Sequence, residues 1–160
     1  MSHDARSVAN YLILKTFEDK RWFTPIQVLK ITYYCQGWHL ASNRGAIFGQ
    51  DIEAWTYGPV VADIYHALKQ YVSDPITDAI PGYKPDFTST ERQFLSQIYD
   101  FYGKYGGIQL MRMTHAKGSP WDQIWNSPTR NSDHEVIPNG LIKEYFQQKR
   151  GVTHASQRGT

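Results

Sequence analysis

A chain of 160 residues with 41% hydrophobic and 20% charged residues has the balance of one folded domain, which excludes a disordered chain and removes the need for disulfide or metal staples. A net charge of +2 demands neither nucleic acid nor a membrane surface as partner. The lone Cys35 excludes an internal disulfide, no Cys/His spacing suits zinc, and the polar start "MSHDARS" with no long apolar run predicts a soluble, cytoplasmic protein.

In chain order, "VANYLILKTFEDK" predicts a first helix, with Val8, Tyr11 and Leu12 on one face. A second follows in "TPIQVLKITYYCQGWHLA". Thr24 is placed to cap it, Pro25 fits the first helical position, and Gln27 completes a capping box. Ile26, Leu29, Tyr33, Tyr34 and Leu40 form its apolar stripe, which thins at Lys30 and Gly37. Cys35 on this helix is expected to be a small buried residue. "AIF" and "IEAWTY", separated by "GQD", predict a β-hairpin. "GPVVADIYHALKQYV" predicts a third helix that Pro59 starts, burying Val61, Ile64, Tyr65, Leu68 and Val72.

The segment "SDPITDAIPGYKPDF" reads as a long surface loop. Thr88 and Glu91 box the start of a helix whose buried face is Phe94, Leu95, Ile98, Phe101, Tyr102 and Tyr105. Shorter helices are expected after the paired glycines of "GGIQLMRMTHAKG" and from the Ser119 cap of "SPWDQIW". "NSPTRNSDHEVIPNG" reads as loop, and Asn139 as the cap of "GLIKEYFQQK". The expected fold is mainly α: a compact bundle of six to seven helices with one small β-hairpin inserted between the second and third. It forms a single domain over residues 5–148, followed by a disordered tail over 149–160.

Along "IEAWTY", alternation puts Glu53, Trp55 and Tyr57 on one face. A carboxylate between two aromatic rings suits three roles: a tie to a helix end or basic side chain, a partner contact, or a catalytic acid. The last is disfavoured because no second carboxylate stands at a useful spacing. His115 in "MTHAKGSPW" likewise has no identifiable orienting acid or nucleophile, so it reads as a histidine bonded to backbone, and Trp121 as a core or groove aromatic. Neither a phosphate loop nor a nucleophile elbow is present, and no cofactor or metal is implied.

Three segments together resemble a known family. "LKITYYCQGWHLA" is similar to the "LQKLLYYAQGWHLA"-type helix of the Panacea domain, found in GepA-like phage-associated proteins and SocA-like antitoxins. "IFGQDIEAWTYGPVVADIYHALKQY" resembles its "lF.e.ieAW.yGPVv..vY" core, and "MTHAKGSPWDQIW" its "TH...sPW..a" segment. Departures fall at Ile31 and Thr32, and in "MRMTH". The resemblance implies a non-enzymatic antitoxin that binds and neutralises a cognate toxin protein encoded by the adjacent gene, often on a prophage. It carries over Glu53, Ala54, Trp55, Tyr57, Gly58, Pro59, Val60, His115, Pro120 and Trp121 as motif positions, either scaffold or partner-binding. Toxin contacts are then expected on exposed elements: the loops over 76–87 and 130–136, and the tail. The alternative is a DNA-binding transcriptional regulator with winged-helix-like architecture, an analogy of shape alone.

Overall fold

The computed structural model describes residues 2–158, with side chains through residue 151. Its elements are α1 (Ala5–Glu18), α2 (Pro25–Ala41), β1 (Ile52–Trp55), β2 (Gly58–Val60), α3 (Ala62–Leu68) with a short 3-10 turn (Lys69–Tyr71), α4 (Ser89–Tyr102), α5 (Gly107–Thr114), α6 (Pro120–Trp125), β3 (Glu135–Ile137) and α7 (Asn139–Arg158). The mainly helical architecture expected from the periodicities is present, with a small sheet after α2.

The second helix is the axis of the molecule. Thr24 N–H donates to Gln27 Oε1 at 2.9 Å, closing the expected capping arrangement ahead of Pro25. Its 17 residues include 14 buried ones, so α2 is covered on all sides rather than along one stripe. It packs against α1, α3, α4, α5, α7 and β2. At Gly37 an added Cβ would lie 2.4–2.8 Å from three atoms of the Phe146 ring, so the missing side chain is what lets α7 seat its aromatic against α2. Tyr34 stacks on Tyr102 of α4 at 3.9 Å, and Trp38 Nε1 donates to Tyr102 Oη at 2.7 Å. Cys35 is fully buried, and burial pushes its thiol up, away from thiolate chemistry.

The sheet runs β2-β1-β3 and is antiparallel throughout. Its hairpin differs in detail from the expected one. β1 pairs not with 46–48 but with β2, through Glu53 opposite Val60 and Trp55 opposite Gly58. The "AIF" segment is satisfied another way. Ile47 N–H donates to Gln36 Oε1 at 2.9 Å, Phe48 accepts from Gln36 Nε2, and His3 brackets the same segment through Ile47 O and Gly49 N. A buried glutamine thus takes the place of a neighbouring strand. Pro59 correspondingly lies in β2 and does not start α3, which begins at Ala62. The region expected to be all loop supplies β3, with Glu53 opposite Val136.

Elsewhere the caps form as expected. Thr88 N–H donates to Glu91 Oε1 at 2.8 Å, and Asp122 N–H to Ser119 Oγ at 3.2 Å. Asn139 lies inside α7, because Pro138 O accepts the first helical bonds. The proline-rich segment before α4 is pinned. Asn10 Nδ2 donates to the carbonyls of Ile80 and Tyr83, Asn10 Oδ1 accepts from Ile80 N–H at 2.7 Å, and Ile76, Ile80 and Phe87 are buried. Phe101, expected inside, is exposed, with Lys104 Nζ 4.8 Å from its ring centre. Helix α7 is drawn to Arg158, beyond the boundary at 148 set by the loss of apolar residues. The last two positions of the expected tail, 159–160, lie outside the described residues.

Candidate functional site

The β1–β2 hairpin is built around one tryptophan. Alternation along β1 buries Ile52 and Ala54 and leaves Glu53 and Trp55 half-buried on the other face. Trp55 Nε1 donates to Glu53 Oε1 at 2.9 Å. Among the described residues no helix-end N–H or basic side chain pairs with this carboxylate, so of the roles open to it the tie to a helix end or cation is not the one made. The carboxylate fixes an indole on its own strand, because residues two apart on a strand share a face. Tyr65 meets the Trp55 ring edge-on at 4.9 Å, and His134 stacks on it at 4.1 Å. Three segments of the chain thus immobilise Trp55 as a rigid aromatic wall.

This wall bounds a cleft of about 730 Å³, which lies between the start of α2, the β1–β2 turn and α3. Pro25, Ile26, Leu29 and Val60 contribute apolar surface. Tyr57 (68% exposed) and Val72 (79%) are its open large side chains, with Tyr65 at 38%. Tyr65 and Val72, expected in the core, are here instead: Tyr65 sets its ring against Trp55 on the open side of α3, and Val72 lies beyond the end of α3, after the short turn, with φ 55°. Lys30, Lys69, His66 and His134 also line the cleft, whereas its lining holds no carboxylate.

Lys30 is the unusual member. It is only 1% exposed, and Nζ donates to Pro59 O at 3.2 Å. No carboxylate among the described residues lies within ion-pair distance of it, and desolvation lowers its pKa to about 7. The ammonium also shapes the backbone beside it. Gly58 has φ 116°, and an added Cβ would lie 3.0 Å from Lys30 Nζ and 2.9 Å from Thr114 Oγ1.

Behind the hairpin, Trp121 Nε1 donates to Trp55 O at 2.6 Å, and the His115 ring lies flat on Trp121 at 3.8 Å. Burial lowers the His115 pKa, the Tyr57 backbone partly offsets this, and the Lys30 charge adds to the lowering. Its Nε2 is buried without a partner among the described residues. Pro120 and Trp121 are buried. The structure thus gathers all ten motif residues around one hairpin. Trp55, Tyr57 and Val60 face the cleft, Glu53 holds Trp55, and Ala54, Gly58 and Pro59 form the strands. His115, Pro120 and Trp121 form the support behind. Among the described residues, no three His, Cys, Asp or Glu side chains gather to hold a metal ion.

A family model described as "Antitoxin SocA-like, Panacea domain" matches residues 28–122. The chain belongs to this family. The Panacea-domain segment begins on α2 just before Lys30 and ends on α6 just after Trp121, so it holds the hairpin, the rear support and the cleft residues from Leu29 to Val72. β3, His134 and α7 lie outside it. A curated relative, Antitoxin SocA of Caulobacter vibrioides (strain NA1000 / CB15N), is 27% identical over 157 residues, covering 91% of this chain and 84% of its own. No solved structure is a significant match. No helix among the described residues is long and apolar enough to cross a membrane.

Motif reasoning missed the cleft residues Lys30, Tyr65, His66, Lys69, Val72 and His134. A signal existed for Lys30, a lysine on the apolar stripe of the best-defined helix. Lys69 and His134 carry none, because only the tertiary fold brings them to the cleft, His134 against Trp55.

Proposed function

We propose that this Panacea-domain chain is the antitoxin of a toxin–antitoxin pair, a non-catalytic, phage- or prophage-associated protein. It neutralises a toxin encoded beside it by direct protein–protein binding in the cytoplasm. The observation that carries this reading is the family match over residues 28–122 together with the likeness to Antitoxin SocA along 91% of the chain. The geometry is consistent with it: an immobilised tryptophan at a cleft rimmed by Tyr57, Tyr65 and Val72 has the aromatic, preorganised character of a binding hot spot. The regulator alternative gains nothing from the sheet, whose central strand β1 is flanked on both edges and packed on α6.

The test is expression of the adjacent gene product alone and with this chain. Growth arrest relieved by co-expression, with both proteins in one complex on size exclusion, is the expected result. A neighbour that is harmless alone overturns the proposal.

A further inference from the structure

We infer that the cleft between α2, the β1–β2 turn and α3 is the partner-binding surface, and that it takes a segment of the toxin in which an apolar side chain is flanked by a carboxylate. This rests on the antitoxin reading and adds the surface and the chemistry of its occupant.

Three observations lead there. First, the polar lining is one-sided in type: the amines of Lys30 and Lys69 and the imidazoles of His66 and His134 line the cleft, and no Asp or Glu does. Glu53, the nearest carboxylate in sequence, is engaged by the Trp55 indole. Second, Lys30 Nζ is buried at the cleft, can donate up to three hydrogen bonds when protonated, and among the described residues has one acceptor, Pro59 O. A buried charge without a counter-ion is costly to the free protein, and a carboxylate entering the cleft supplies both the charge and the acceptors. Third, the rim carries large apolar side chains in solvent, Tyr57 and Val72 above all. A small anion held inside the cleft would leave them wet, whereas a polypeptide lying across the mouth covers them. The apolar floor of Ile26, Leu29 and Val60 then receives the side chain next to the carboxylate. Phosphates fit less well, because exposed cations spread over a surface serve a nucleic-acid backbone, and here the deepest cation sits between apolar walls.

The experiment uses the full chain and the co-expressed product of the adjacent gene, with Kd measured by titration calorimetry. Lys69→Glu and Tyr65→Ala change exposed side chains and Lys30→Met keeps the buried stem, so folding is checked by thermal melting of each variant. The expected result is at least tenfold weaker binding for each, with melting midpoints of the two surface variants at the wild-type value. An acidic residue of the partner changed to lysine then restores binding to Lys69→Glu. Wild-type affinity in all three variants overturns the inference and leaves the antitoxin reading standing. A wild-type chain that does not bind the neighbour at all removes that reading instead. Duplex DNA binding at low salt that is lost in Lys69→Glu also overturns the inference.

Discussion

At the scale of single residues, two positions on α2 set how the molecule behaves. Lys30 has a folded pKa near 7 against an ordinary 10.5. Between these values the unfolded chain holds a proton that the folded chain does not, so stability rises with pH across this window. Below about pH 7 both states are charged at this position and the desolvation cost is felt in full. Lys30→Met should therefore be more stable than wild type at pH 6, with the difference shrinking as pH rises toward 9.5. Urea midpoints at four or five pH values check this, and a constant difference would contradict it. Gly37 works through volume. Alanine is the better helix former by about 1 kcal/mol, yet its methyl would enter the Phe146 ring. Gly37→Ala is expected to lose about 2–3 kcal/mol by overpacking, read from denaturant midpoints. A gain in stability would show that α7 can move off α2 without cost.

At the scale of elements, the proline-rich segment shows how a loop without secondary structure is made rigid. Asn10 acts as a side-chain splint: its amide gives two donors to Ile80 O and Tyr83 O and accepts from Ile80 N–H. Asn10→Ala strands these buried groups and should cost roughly 3 kcal/mol. Its signature is local as well as global, with hydrogen exchange at the Ile80 amide accelerating more than at the α2 amides. Uniform acceleration would mean that the loop and the core open together. The hairpin uses the same device in another form, since Gln36 occupies the hydrogen-bonding groups of Ile47 and Phe48 that a strand would otherwise have claimed.

At the scale of the whole molecule, the domain closes where the last apolar anchors of α7 meet α2. Ile142 and Phe146 are fully buried, whereas Gln148 and Lys149 are exposed. We propose that the autonomous unit ends near residue 148. Truncation after Arg150 should leave the melting midpoint unchanged, and truncation after Lys143, which removes Phe146, should cost about 3–5 kcal/mol. Thermal melts of the two truncations test this. A large loss from the first would place part of the fold's stability in the last turns of α7.

Capping boxes, Pro25 and Pro120 and apolar spacing by themselves determined most of the helices and the approximate place of the ribbon, because those signals act within one or two turns of chain, whereas Pro59 proved to belong to a strand. The "IEAW" alternation told which residues of β1 share a face, for the same local reason. Tertiary structure alone decided the partner of β1. Pairing energy depends on which backbone groups are left free, and Gln36, 16 residues before Ile52, had already taken those of "AIF". It also decided that Glu53 serves Trp55, that Tyr65 and Val72 face a cleft, and that a lysine on an apolar stripe is buried at that cleft against the β2 backbone without a carboxylate. The contacts of Lys30 with Pro59 and of Trp55 with His134 join segments far apart in sequence, which no local pattern encodes, whereas the Glu53–Trp55 bond is local and the fold decided only that no basic group replaces it.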